Sequence, residues 1–326
     1  MSKLSRILLV ENATPPGSPA YHRAVELARR SGAELLICQL VHDPLIDFAS
    51  GLADAALHHA RSGYMLERQQ PLERAREALQ QEGLRVSAEV VWTAAPHEAV
   101  IAKSIEHNPD LVIANLERRR DLLGVYVVAS ETWKLARLCP APLMLVHERR
   151  PLLPTRMTVA VDTVDHLADV MLNEEVINVA RIVGNAAGVP LDLLHVFPLH
   201  PAPAHGELDD SYQKLLLRDQ QRLQQMADDA GIPHDRCHWR GGDLHRELYN
   251  YASADSGELL VLGSVYHNAF SRLFLGSTTE SVISGFPCDV LVVKPAGFLR
   301  ELARHRDLNA LCDAYGVVAT ELLDAA

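Results

Sequence analysis

Paired cysteines, positive charge and long apolar runs are what this chain of 326 residues lacks. Its five cysteines, Cys38, Cys139, Cys237, Cys288 and Cys312, stand singly with no CxxC pair, so neither a zinc ribbon nor a thioredoxin-like centre has support. An odd, scattered set reads as reduced thiols in a cytoplasmic protein. Lys and Arg number 31 against 42 Asp and Glu, a formal net charge of −11. That balance argues against a nonspecific hold on nucleic acid or anionic membrane, which needs clustered basic residues. No run approaches the ~20 apolar residues of a membrane span. The opening run RILLV stops at Glu11 and Asn12, too short for a secretory signal. Membrane insertion and secretion are therefore not expected. With 48% hydrophobic residues the composition is globular, and the length suggests two domains at about 100–200 residues each.

What is present is a repeat. From Arg6 the chain gives RILLV, a helix-like stretch, Gly32 and the strand ELLICQLV. From Arg156 it gives RMTVAVD, a helix-like stretch, Gly188 and LDLLHVF. Each half continues with a long polar helix, roughly 53–82 and 208–230, then a strand, a helix, a strand, and a closing helix and strand. Pro140 and Pro287 occupy equivalent places. The strand segments are continuous apolar runs (ILLV, LVIA, LMLV, TVAV, LLVLG, VLVV), as in parallel strands buried on both faces by helices. Alternation with helices predicts right-handed βαβ units, so each half is expected to be a five-stranded α/β domain. The expected boundaries are 1–147 and 155–295, with a Pro-containing linker at 148–154. A helical tail over 296–326 places Leu299, Leu302 and Ala303 on one face, and Leu308, Leu311 and Cys312 on another; it is expected to pack on its own subunit.

The segment 261–277, VLGSVYHNAFSRLFLGS, ends a buried strand at Gly263 and opens a helix at Gly276-Ser277-Thr278-Thr279. Ligands of open α/β sheets sit at the carboxyl ends of the strands. A helix N-terminus offers unpaired N–H groups suited to phosphate, glycine permits close approach, and the hydroxyls of Ser277, Thr278 and Thr279 add donors. The same residues also read as a capping box, with Ser277 at the N-cap and Glu280 three residues on. The residues alone leave both readings open. Histidines number 16, but no HExxH occurs, adjacent His58 and His59 point to different sides of a helix, and His234 and His238 flank a lone cysteine, so no metal is expected. His195, His200 and His205 lack a carboxylate at diagnostic spacing, and His195 reads as a core-edge residue.

The βα order, the acid ending the second repeat's first strand (Val161-Asp162) and the spacing of Gly263, Gly276 and Ser277 resemble the universal stress protein family, here its E-type tandem subgroup. Cys139-Pro140, Pro287-Cys288 and the segment around Trp133 are similar to that subgroup. The resemblance spans about residues 4–295 and implies strand order 3-2-1-4-5 in each domain. It implies that the second domain binds ATP or a related adenine nucleotide. Asp162 would lie beside base and ribose, and the main chain of Val196 beside adenine. Leu262 would be the apolar residue before the loop, with phosphates at Gly263, Gly276, Ser277, Thr278 and Thr279. Tyr266 stands where the family has its second loop glycine. The first half departs further. Glu11 is read at the Asp162 position, Ala114-Asn115-Leu116 carries no glycine, Ala129-Ser130 stands for Gly276-Ser277, and Trp133 stands for Glu280. The arginines of 117–121 read as a solvated loop. No ATP is expected in this half.

The expectation is a cytoplasmic, stress-response regulatory protein with ATP in its second domain, and at most slow hydrolysis. No GxSxG or Walker lysine is present. The alternative is a scaffold or apolar-ligand binder that has lost the nucleotide. The resemblance implies that domains pair through their last strand edges; the short apolar strands 143–146 and 290–293 would then give an intrachain pseudo-dimer, with a homodimer left open.

Overall fold

The computed structural model describes residues 3–48, 54–120, 126–148, 152–163, 166–198, 210–254, 258–264 and 275–317. Among these, residues 3–153 and 297–317 form one compact unit, and residues 154–296 form another.

The first unit is built from β1 (Arg6–Glu11), α1 (Pro19–Ser31), β2 (Glu34–Val41), α2 (Pro44–Phe48), α3 (Asp54–Gln81), β3 (Val86–Trp92), α4 (Pro96–His107), β4 (Leu111–Asn115), β5 (Arg118–Arg120), β6 (Tyr126–Val128), α5 (Ser130–Leu138) and β7 (Leu143–Val146). Its main sheet runs β3-β2-β1-β4-β7, and every pair is parallel. The apolar runs explain this order. Leu35–Cys38, Leu8, Leu9 and Leu111–Ile113 are buried, and strands covered on both faces need no polar alternation. The first helix has sharp ends. Ser18 accepts a hydrogen bond from the Tyr21 amide, Pro19 opens the first turn, and Gly32 stops the helix at φ 68°.

The second unit repeats the plan with β8 (Arg156–Ala160), α6 (Leu167–Ala187), β9 (Leu191–Phe197), α7 (Asp210–Ala230), β10 (Cys237–Gly241), α8 (Leu244–Ser253), β11 (Glu258–Gly263), α9 (Ser277–Gly285) and β12 (Asp289–Val293). Its strands run β10-β9-β8-β11-β12, all parallel. Both sheets thus have the order 3-2-1-4-5. One expectation changes. Arg118–Arg120, read as solvated loop, pairs antiparallel with Tyr126–Val128 as β5 and β6, because the apolar β-branched run at 127–128 gives the arginines a partner strand.

Two further helices, α10 (Phe298–His305) and α11 (Leu308–Ala314), follow the second sheet in sequence but pack on the first unit. Phe298, Leu302, Leu308, Cys312 and Val317 form one apolar cluster with Ile101, Ala102 and Ile105 of α4 and Leu138 of α5. This explains why α4 is buried nearly all round, from Ala99 to Ile105. Asp307 caps α11 through the Ala310 amide, and the Tyr315 hydroxyl meets Thr93 Oγ1 at 2.8 Å. Ala303, expected on the apolar face, is exposed: the seam is narrower than the helical wheel suggests, with Leu299 and Leu311 at its margin. Leu302 has no exposed surface. Truncating it leaves a cavity against α4, so Leu302→Ala is expected to destabilise the first unit by about 2–5 kcal/mol. Urea denaturation should show one transition moving to lower denaturant.

Candidate functional site

At the carboxyl ends of the second sheet, β8 is followed by α6 on one side and β11 leads toward α9 on the other, the place where open α/β sheets receive ligands. A cavity of about 850 Å³ opens there. All eight expected site residues, Asp162, Val196, Leu262, Gly263, Gly276, Ser277, Thr278 and Thr279, line it. The walls are mainly apolar, with Leu172, Val176, Leu194 and Leu248 among them. Three carboxylates, Asp162, Asp169 and Glu280, share the lining, and no Lys or Arg does among the described residues.

Helix α6 sets the geometry. Leu172 and Val176 press on the backbone of Gly263 so closely that a Cβ there would meet Leu172 Cδ2 at 2.8 Å and Val176 Cγ2 at 3.2 Å. The first loop glycine is therefore a packing requirement of the helix on the strand end. Between these two side chains, Asn173 holds the turn after β8: its Nδ2 donates to the Asp162 carbonyl at 2.6 Å, and its Oδ1 accepts from the Asp162 amide at 3.3 Å. Gly276 differs. A Cβ there meets nothing within 4 Å, and its φ of −57° suits any residue.

The capping-box reading of Ser277 does not hold. Gly276 is the N-cap of α9 without any side-chain cap, its carbonyl accepts from the Glu280 amide at 3.0 Å, and Ser277 is already the first helical residue. The first-turn amides of α9 thus lack the acceptor that a serine cap would supply. Thr279 is buried, and its hydroxyl donates to the Gly263 carbonyl at 3.4 Å, tying helix to strand. Ser277 is exposed and Thr278 half-buried, so these two hydroxyls line the opening. Tyr266 lies outside the described residues, as do His200 and His205 and the middle of the linker.

Sequence reasoning missed the polar network behind the cavity wall. His195, in β9, lines the cavity while its Nδ1 lies 2.9 Å from the Val161 carbonyl and its Nε2 lies 3.0 Å from Asp219 Oδ2. Asp219 of α7 also accepts from Thr163 Oγ1 and from the Trp239 indole N–H at 2.9 Å. Arg222 donates to the Thr163 carbonyl at 2.8 Å. The available signals were a polar residue within the apolar run LDLLHVF and an Asp on the inward face of a polar helix. Neither spacing pairs them in sequence. Among the described residues no group of three or more His, Cys, Asp or Glu is placed to hold a metal.

The first unit fills the corresponding region with its own side chains. Strand registers correct one alignment. Ile7 pairs with Leu35 and Leu111 as Met157 pairs with Leu191 and Leu259, so Asn12 matches Asp162 and Glu11 matches Val161. Glu11 is fully buried and accepts from the amides of Asn12 and Ala13 at 2.9 and 2.8 Å and from Ser18 Oγ at 2.8 Å, organising the loop into α1. Asn12 donates to Glu117, and Asn115, in register with Gly263, accepts from the Ala20 amide at 3.0 Å. At the Thr278 position stands Glu131, bonded to His97 Nδ1 at 2.8 Å and Lys134 Nζ at 2.7 Å. Burial opposes its charge, but the bonds from Lys134 and His97 prevail and hold its carboxyl below the usual range. A carboxylate in the first turn of α5 already takes the favourable field there. The cavity that remains is about 300 Å³.

The two loop glycines should separate in mutagenesis. Gly263→Ala overpacks against α6 and is expected to cost about 1–3 kcal/mol, whereas Gly276→Ala should stay within about 0.5 kcal/mol of the native protein. Chemical denaturation of the two variants side by side checks this.

The comparisons with known proteins agree with this architecture. A profile of the universal stress protein family matches residues 3–147 and 156–294. Universal stress protein E of Photorhabdus laumondii is 25% identical over 310 residues, covering 91% of this chain and 97% of that protein. Its Escherichia coli K12 counterpart is 26% identical over 302 residues, covering 90% and 95%. Among solved structures, a putative universal stress protein from Pseudomonas aeruginosa superposes with a TM-score of 0.73 at 20% identity, covering 92% of this chain and 97% of that one. One from Archaeoglobus fulgidus gives a TM-score of 0.60 at 17% identity, covering 90% and 99%. With the family profile matched in both halves, each on a sheet of the same strand order, the chain belongs to the universal stress protein family, with two such domains in tandem.

Proposed function

We propose that this stress-response protein is a regulatory binding module that takes ATP or a related adenine nucleotide in its second unit. The observation that carries this reading is the start of α9. Gly276, Ser277 and Thr278 present uncapped amides and two hydroxyls to an 850 Å³ cavity whose other walls are mainly apolar. Such a volume is in the range of small-molecule sites. The base would lie against Val196 and Leu262, the ribose hydroxyls would donate to Asp162, and the phosphates would meet the α9 amides. Three carboxylates in the lining disfavour a bare polyphosphate, so the magnesium complex, with its lower charge, is the form that suits the site. The described lining supplies no assembled nucleophile and base, which fits holding a nucleotide rather than turning it over. Five cysteines, none of them in a disulfide, support a cytoplasmic setting.

A second reading rests on the same walls. An apolar cavity without a lysine or arginine in its described lining also suits an uncharged, largely apolar ligand.

Denaturing extraction of the purified protein with mass spectrometry, followed by calorimetry with magnesium ATP, decides between them. The expected result is an adenine nucleotide near stoichiometry, or a measurable ATP affinity that Gly276→Val lowers at least about tenfold with an unchanged melting temperature. A Cβ at this position meets no protein atom within 4 Å, and the branched side chain would project among the phosphates. ATP affinity indifferent to Gly276→Val overturns the assigned cradle. No nucleotide and no ATP binding, with an apolar molecule in the extract, favours the second reading.

A further inference from the structure

The cavity that remains in the first unit has a lining of its own, and what it can hold is independent of the nucleotide reading of the second unit. It measures about 300 Å³ and opens where β1, β2 and β4 end. Val10, Leu40, Val41, Val100 and Leu135 form its apolar part. Its charged lining is Glu117 and Glu131, with no Lys or Arg among the described residues. Two further polar residues of the lining, His97 and Thr132, are each only 5% exposed. The Thr132 hydroxyl makes no hydrogen bond among the described residues, whereas its counterpart Thr279 in the second unit donates to the Gly263 carbonyl. His97 gives Nδ1 to Glu131 at 2.8 Å, but its Nε2 makes no hydrogen bond, the Glu98 carboxylate lying 3.9 Å away. Native proteins rarely leave buried polar groups unbonded, so both call for a partner from outside the chain.

The carboxylates decide the charge of that partner. Glu117 accepts from the Asn12 side-chain amide, and no cationic side chain pairs with it among the described residues. Glu131 has its own cation in Lys134, whose Nζ lies at 2.7 Å. An anion is therefore repelled, and one negative charge is left uncompensated. The positive end of α5 opposes a cation, but Glu131 in its first turn answers that field. The Glu117 carboxylate and the Thr132 oxygen are both acceptors, and a primary ammonium group brings three donors and no acceptor. A cavity at the lower end of small-molecule volumes has room for a few methylenes rather than a nucleotide. We propose that the first unit binds a small aliphatic amine as its ammonium ion. Glu117 answers the charge, the Thr132 hydroxyl oxygen accepts an N–H, and the methylenes lie against Val100 and Leu135.

The test titrates the full chain, with Val and Leu methyl groups labelled for NMR, against 1,4-diaminobutane, and against 1,4-butanediol as the uncharged probe of the same length. Methyl signals of Val100 and Leu135 report on the first cavity, and those of Val196 and Leu262 on the second. The expected result is saturable shifts at Val100 and Leu135 with a Kd at or below about 1 mM, and at least about tenfold weaker binding of the diol. Glu117→Gln, which keeps the shape and an acceptor for Asn12, should lower amine affinity about tenfold. Thr132→Val should lower it about threefold, while the melting temperature without amine stays unchanged or rises, because the hydroxyl it removes bonds to nothing in the protein. No saturable shift at Val100 and Leu135, equal binding of the diol, or an affinity indifferent to Glu117→Gln overturns the proposal. Shifts confined to Val196 and Leu262 assign the amine to the second unit and overturn it as well. Should Glu117→Gln fail to fold, Thr132→Val decides: unchanged affinity, or a lowered melting temperature without amine, overturns the site. ATP takes no part in these titrations, so the nucleotide reading of the second unit stands or falls separately.

Discussion

Leu172 and Val176 rest on the bare backbone of Gly263, and that contact fixes how deeply α6 lies over the second sheet. The depth matters because Asn173, between them, grips both backbone groups of Asp162. A helix held one methyl farther out would withdraw Asn173 from the turn and widen the cavity on that side. Gly263 also receives the Thr279 hydroxyl on its carbonyl, so the start of α9 is referenced to the same residue. One missing side chain thereby locates the acid, the strand end and the helix N-terminus relative to each other.

The two units solve the same topological problem in opposite ways. A parallel sheet that opens between its first and fourth strands exposes backbone groups at their carboxyl ends, and buried backbone groups require partners. The first unit supplies those partners from within. Glu11 collects the loop amides, Asn115 takes the Ala20 amide, and Glu131 sits in the first turn of α5. The second leaves the first turn of α9 without a side-chain cap and keeps the larger volume. Duplication followed by divergence of a handful of polar residues accounts for the contrast, since the strands and their order are unchanged.

The fold was legible because its signals are redundant: eight apolar runs, two glycine helix stops and matching prolines all describe the same repeat. The position of the cavity was legible for the same reason, since Gly263 ends the fourth strand and Gly276 precedes the following helix. What escaped was set by contacts across elements. The match of Asn12 to Asp162 needed strand registers, because Glu11 is the more obvious acid. The absence of a Ser277 cap depended on where α9 starts, a single residue's difference. The His195–Asp219 pair joins a strand to a helix that follows it at a distance, and no local spacing announces such a partnership.

Helices α10 and α11 complete the hydrophobic surroundings of α4, a helix made far earlier during translation. Roughly 190 residues separate the two, so at about 5–20 residues per second the ribosome runs for some 10–40 s with Ile101 and Ile105 lacking their outer cover. Throughout that interval the nascent first unit presents an apolar patch of the type that chaperones and proteases read. Chains released early, by a nonsense codon or a stalled ribosome, keep the patch permanently. Helices α10 and α11 thus close the first unit only after the whole second unit has been synthesised.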